Sequence, residues 1–332
     1  MPCSPATGEE APDSIRAFRI GFLRSDESQA LELSWYEHVK RFLLEQPSVM
    51  GVLEKNHYNG IAVLPAEGYR DMLQRMDLNE FDLAFCSGVI FVEQKGDYRP
   101  ILQLRGDIFD SRGQGKTLQK GVIITGRKSP FFSEKSPEPE KIGAYISTHP
   151  MAFVSVHSAV GYVYPRLSLW RRFKTIQPGD FIFCGSSEEV VKYVVSGIVN
   201  IGACEREAFY NILEKSVPGI PGERLARILI ETPPAPTNPI VIRSSLHPQK
   251  SEIGRALKAA IKIYYTNSRV PGIPRIADAR DENFKNLREE IEDFHLLLGK
   301  QGNKKHQPQT ESEKSPDGKN LSIQSESKND ND

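Results

Sequence analysis

The chain has 332 residues, and its 43 Lys and Arg balance 43 Asp and Glu, so it carries no formal net charge. That balance removes both the basic footprint of a nucleic-acid binder and the acidic excess of a solvating chain. With 39% apolar and 26% charged residues, it has the composition of a folded protein too long for one small core, with some sequence left unfolded.

Residues 1–15 are small, polar and Pro-containing, and are expected to form a flexible leader. They have neither the basic head nor the apolar core of a signal peptide. Cys3 followed by a polar linker is how a mature lipoprotein begins, so it is a candidate lipid-attachment point if the encoded chain starts further upstream. No window approaches the roughly 18 consecutive apolar residues of a membrane helix.

"AFRIGFL" (Ala17–Leu23) reads as a first strand, and Ser25 as the N-cap of a helix whose stripe is Leu31, Trp35, Val39 and Phe42, stopped by Pro47. "GIAVLPAEGYRDMLQRM" reads as strand, turn and helix. "FDLAFCSGVIFVEQ" is a strand, the pair Ser87-Gly88 and a helix, and "RPILQLRG" is a further strand. This alternation predicts a mostly parallel sheet with helices on its faces.

"KGVIITGR" opens a second series and leads into the Pro-rich loop "KSPFFSEKSPEPEK". Strand–helix pairs follow at "MAFVSV" with Ala159–Arg172, "DFIFCG" with Ser186–Ser196, and "VNIGAC" with Glu205–Lys215. "VPGIPGE" reads as a crossover. "RLARILIET" and "NPIVIR" are predicted strands separated by "PPAPT", with helices at Gln249–Thr266 and Asn283–Leu298. The expected organisation is α/β and two-lobed. One lobe comprises residues 16–110 and 232–298, the other residues 111–231, with crossings near 107–125 and 223–239 and a ligand cleft between them. Residues 299–332 are nearly free of aliphatics and are expected to be a disordered tail.

Several motifs lead nowhere. "RGQGKT" (Arg112–Thr117) ends like a phosphate loop, but Asp110 stands where the pattern needs its first Gly. Cys3, Cys86, Cys184 and Cys204 form no C-x-x-C pair, and the seven His lie at no metal-ligand spacing, so no metal and no cofactor is expected. A nucleophile elbow is missing as well.

Four segments in order carry a resemblance: "DLAFCSGVIFV", "FVSVHSAVGYVYPR", "FIFCGSSEEVVKYVVSGIVNIGACEREAF" and "RILIETPPAPTNPIVIRSSL". The series resembles the phosphonate/phosphite/phosphate ABC-transporter substrate-binding family, type II periplasmic binding proteins, over about Phe18 to Tyr265. The strongest piece is the third, with Phe-x-Gly-Ser, a Val-rich helix and Ser-Gly-x-x-Asn-x-Gly-Ala. The resemblance implies two α/β lobes closing on a small oxyanion at the N-terminus of the helix after residues 157–160, where free N–H groups and the helix dipole favour negative charge.

Candidate ligand residues are then His157, Ser158, Ala159 and Val160, the turn Ser87-Gly88, and Ser187, Glu205 and Asn238, with Arg24 and Tyr58 as weaker cleft candidates. Ala159 and Val160 stand where the family has Thr and Ser, which leaves Ser158 as the one hydroxyl of that run. Ser186, Ser187 and Glu188 stand at a Ser-His-Asp. Asn200 and Asn238 stand at two Asp positions, one of them a carboxylate that would receive an ammonium group, for which Glu205 or Glu207 could substitute. No catalytic residue is implied. The implied partners are a small anion and an ABC permease or sensor, with a monomer in the periplasm or cell envelope. The absence of an export signal keeps a cytoplasmic enzyme on the same scaffold as an alternative, of the menaquinone- or thiamine-route type, with His157, Glu188 or Glu205 as its acid or base. A ligand-sensing domain is a third reading.

Overall fold

The computed structural model describes residues 16–24, 29–106, 116–134, 137–174, 179–216, 225–267 and 275–302. The expected leader with Cys3, the Ser25 cap, most of the "RGQGKT" loop, "VPGIPGE" and the tail beyond 302 lie outside the described residues. Residues up to Phe294 belong to one compact unit. Those from His295 belong to a second, described only as the last turns of a helix.

The first sheet is built from β1 (Arg16–Leu23), helices α1 (Gln29–Leu44) and α2 (Pro47–Lys55), β2 (Tyr58–Ala66), α3 (Tyr69–Asp77), β3 (Leu83–Phe85), α4 (Gly88–Glu93) and β4 (Tyr98–Leu104). Its core joins Phe18, Ile20 and Phe22 of β1 to Leu83, Val39 and Leu43. Pro47 ends α1 but also begins α2, because a proline at the first helical position gives up an N–H that has no helical partner anyway.

The second sheet follows: β5 (Leu118–Gly126), α5 (Pro139–Thr148), β6 (Met151–Phe153), a π-helical turn (Ala159–Val163) running into α6 (Tyr164–Phe173), β7 (Phe181–Phe183), α7 (Ser187–Ser196), β8 (Ile201–Glu205), α8 (Arg206–Ser216) and β9 (Ala226–Pro236). Val122 and Ile124 of β5 meet Val190 and Val194 of α7 and Phe209 of α8 in its core. The chain then returns through β10 (Pro239–Arg243), α9 (Glu252–Asn267), β11 (Ile276–Asp278) and α10 (Lys285–Gly302).

The strand orders are β11-β4-β10-β3-β1-β2 and β7-β6-β8-β5-β9. Parallel pairs join β1 to β2 and β3, and β6 to β7 and β8. Antiparallel pairs bring in β10, β4 and β11 on one side, and β5 and β9 on the other. The result is the expected α/β architecture of two open sheets with flanking helices.

Three local expectations change. β9 runs through Pro233 and Pro234, where "PPAPT" predicts a break, so the boundary set at 231/232 falls inside a strand. β9 is an edge strand with a register shift opposite Lys120 and Val122, and an edge tolerates a residue that donates no ladder bond. α5 lies beyond the Pro-rich loop, where no helix is expected from the sequence. β6 stops at Phe153 rather than Val156, because the chain turns at Ser155.

Candidate functional site

In both sheets the parallel strands point their carboxyl ends the same way, the end at which α/β folds bind ligands. At the end of β6 the chain turns. The Ser158 N–H donates to the Ser155 carbonyl at 3.0 Å, and the His157 N–H donates to Ser155 Oγ at 3.4 Å. Ser158 then caps the next helix, its Oγ accepting from the Gly161 N–H at 3.0 Å. The turn that follows is π-helical, with the N–H groups of both Tyr162 and Val163 donating to the Ser158 carbonyl.

The N–H groups of Ala159 and Val160 take no acceptor among the described residues, as the first donors of any helix do. Both residues are buried, as is Ser158. The Ser158 Oγ accepts the capping bond and keeps its own O–H to give. Two backbone donors and one hydroxyl donor therefore converge at a helix N-terminus, an arrangement that favours a small anion. Gly161 permits the packing: a Cβ there would lie 2.3 Å from Val154 Cγ2 and 2.8 Å from Ser158 Oγ.

The turn after β3 is built alike. Ser87 caps α4, its Oγ accepting from the Ile90 N–H at 3.1 Å. The two turns meet: Ser87 Oγ donates to the His157 carbonyl at 3.2 Å. His157 Nδ1 lies 2.9 Å from Glu93 Oε2 at the end of α4, and the Tyr69 ring lies parallel to the imidazole at a centroid distance of 6.1 Å. The carboxyl ends of the two sheets thus face each other, and His157 is a contact between them rather than a free donor. Glu93 and Tyr69 are missed by sequence reasoning. No local motif marks a pairing that spans 64 residues of chain.

The remaining candidates divide. Ser186 caps α7, its Oγ accepting from the Glu189 N–H, and Ser187 Oγ accepts from the Glu205 N–H at 3.1 Å, so this third turn is stitched to the end of β8. Glu205 and Glu188 both lie close enough to Cys204 to add to the upward push that burial gives its thiol. Gly88 is buried in the first turn of α4, and Glu207 lies in the first turn of α8. Arg24 follows β1 at the carboxyl end and pairs with Glu67 at 2.7 Å.

Asn238 lies between β9 and β10. Its side chain is exposed, and its carbonyl accepts from the Leu104 N–H. Tyr58 opens β2 opposite Arg16, at the amino end of the sheet, where its hydroxyl accepts from Arg16 Nη2 at 3.0 Å. Asn200 precedes β8, and its Nδ2 donates to the Tyr145 hydroxyl at 2.8 Å. Tyr58 therefore sits at the strand end opposite the Ser87 turn, a strand length away, and Asn200, noted only as standing at a family Asp, sits likewise at the amino end of its strand.

The two connections between the sheets lie side by side at their described ends. Thr237 N–H donates to the Thr117 carbonyl at 3.2 Å, and the buried Gln103 amide donates to the carbonyls of Thr117 and Thr237 at 3.2 and 3.1 Å. Among the described residues no group of three His, Cys, Asp or Glu side chains could hold a metal ion, and no helix is long and apolar enough to cross a membrane.

Residues 50–268 match the family of ABC transporter, phosphonate, periplasmic substrate-binding proteins. No curated protein matches the chain by sequence. Among solved structures, PhnD1 from Prochlorococcus marinus in complex with methylphosphonate is 17% identical with a TM-score of 0.63, over 86% of this chain and 100% of that one. A binding-protein component of an ABC phosphonate transporter from Pseudomonas aeruginosa is 14% identical with a TM-score of 0.61, over 85% and 87% of the two chains. A Xanthomonas citri protein bound to ATP is 16% identical with a TM-score of 0.61, over 85% and 98%.

Proposed function

The chain belongs to the phosphonate periplasmic substrate-binding family of ABC transporters, and from that premise we propose that it closes two lobes on a small oxyanion seated at the Ser158 turn. The family is one of non-catalytic binding components, so the enzyme alternative falls away. The observation that carries the ligand reading is the convergence of the Ala159 and Val160 N–H groups with the Ser158 hydroxyl at the carboxyl end of β6. Methylphosphonate and ATP, held by two similar structures, both present phosphorus oxyanions.

The lobes are the two sheets with their helices, and the side-by-side connections at Gln103, Thr117 and Thr237 are the hinge. Bending there swings the Ser87 and Ser158 turns together, and the ligand acts by favouring the closed population. Charge-assisted bonds from N–H and O–H groups to the anion supply the differential affinity that closure needs. With Ala159 and Val160 in place of hydroxyl residues, the anion is held mainly by backbone, and Ser187, Glu205 and Arg24 are the side chains that read the rest of the ligand. Family membership supports delivery to an ABC permease in the periplasm or cell envelope, and the chain is proposed to act as a monomer.

The test is thermal shift across phosphate, phosphite, methylphosphonate, a sulfonate and a carboxylate. A ligand at 100 times its Kd raises stability by about 2.7 kcal/mol. A response confined to the phosphorus oxyanions supports the reading, and a flat panel ends it.

A further inference from the structure

Arg166 lies in α6, one turn beyond Tyr162, and is 2% exposed, one of the largest fully buried side chains in the protein. Its guanidinium stacks rather than pairs. The central carbon lies 4.5 Å from the centroid of Phe181 and 5.6 Å from that of Tyr162, and Nη1 donates to the Tyr162 hydroxyl at 3.4 Å. Those contacts use one of five N–H donors, weakly, and no carboxylate among the described residues pairs with it. Burial pushes the guanidinium below its ordinary value, and the Tyr162 hydroxyl only partly opposes this.

Other buried or half-buried charges in the protein are treated differently. Asp82, wholly buried, takes both Arg19 and Arg243, and Arg171, one turn and a residue beyond Arg166, pairs with Glu290 and Asp293. A buried charge without an opposite one is costly enough that a fold normally provides its partner. An arginine flanked by aromatic faces has its N–H fork left in the plane of the guanidinium, the geometry that takes two oxygens of one anion.

The place is distinct from the cleft. Phe181 opens β7 in register with Met151, the first residue of β6, so it lies at the amino end of these parallel strands, opposite the Ser158 turn. Its ring covers the guanidinium while the residue stays 40% exposed.

We propose that Arg166 is the base of a second anion site, in which the guanidinium fork binds two oxygens of a small carboxylate or phosphate. The Tyr162 hydroxyl donates to the same ion, and Phe181 is the cover that turns aside to admit it. The site is on the far side of the second lobe from the ligand cleft and carries its own anion.

The full chain, with Arg166→Met, Arg166→Lys and Ser158→Ala variants, is titrated at constant ionic strength with acetate and with inorganic phosphate, followed by thermal shift. Methylphosphonate is present at a fixed saturating concentration throughout, so that the cleft is filled; expected is a further saturable stabilisation of the parent and of S158A that is lost in R166M and weakened in R166K, where the charge stays but the fork is gone. The stronger of the two arms tells carboxylate from phosphate. No saturable response in the parent, or one that survives in R166M and disappears in S158A, overturns the site. If R166M does not fold, R166K decides alone: a response equal to the parent's overturns the proposal. A methylphosphonate titration of the same set reports on the cleft separately, since its loss in the parent would sink the cleft reading and leave Arg166 untouched.

Discussion

Two serine turns, one on each sheet, are built to the same plan and left in different states. Ser87 and Ser158 each follow a strand, cap a helix and accept a backbone N–H three residues on, at 3.1 and 3.0 Å. The Ser87 hydroxyl then donates to the His157 carbonyl, so its proton is used between the sheets. The Ser158 hydroxyl has no such acceptor among the described residues, and beside it are two helix N–H groups in the same condition. The same local chemistry gives a closing contact on one lobe and the proposed anion site on the other, and only the approach of the opposite lobe separates them.

Glycines behind the turns give the largest effect. A Cβ on Gly121 would lie 2.3 Å from the Val160 carbonyl oxygen, which is backbone of the π-helical turn, whereas one on Gly88 would meet the end of the Leu287 side chain at 2.9 Å. Gly121→Ala should destabilise by about 3 kcal/mol and weaken methylphosphonate binding, and Gly88→Ala by about 1 kcal/mol. Equal losses in chemical denaturation would break the contrast between the two turns.

Next come the serines themselves. Removal of either cap lowers stability by about 1 kcal/mol. Ser158→Ala also removes a hydrogen bond to a charged ligand, about 1.5–3 kcal/mol, so its Kd for methylphosphonate should rise by roughly 10-fold or more. Ser87→Ala should leave that Kd nearly unchanged. Calorimetric titration of both variants sharpens the comparison, and a Kd that moves equally in both would remove it.

The smallest effect works from the strand behind the second turn. Lys120 beside Gly121 bonds Glu231 at 2.7 Å and, with Arg206 further off, holds its carboxyl below the usual carboxylate range. A depressed carboxyl stabilises the fold fully above its unfolded-state value and loses that contribution as pH falls through the folded value. Stability should thus drop slightly more steeply below about pH 4.5 in the parent than in Glu231→Gln. With Glu231 exposed and Lys120 only half-buried, solvent screening keeps the difference to a few tenths of a kcal/mol. Identical acid limbs would show that the pair contributes nothing to the strand behind the turn.

Much of this protein is legible in the chain. The periods of "AFRIGFL" and "GVIITG" mark buried strands, and the strand-to-helix turns at Ser87, Ser158 and Ser186 are where the structure has them; that each of these serines caps its helix is seen only in the structure. These features are local, since a cap or a strand face depends on residues within a few positions. What fails is also physical. "PPAPT" reads as a break because proline gives no ladder bond, and only the position of β9 at a sheet edge makes that harmless. Tyr58 reads as a weaker cleft candidate until its strand is placed, and strand direction then puts it at the amino end of the sheet.

The sequence by itself determined the α/β alternation, the strand-to-helix turns and the family, because each rests on short-range pattern or on motif order. Tertiary structure alone decided that His157 is held by Glu93, that Ser87 is engaged while Ser158 is open, and that Arg166 is buried without a carboxylate, both among the described residues. Each of those depends on which distant segment arrives beside it. Packing of the two sheets brings residues 64 and 70 positions apart into contact, a distance no local pattern spans.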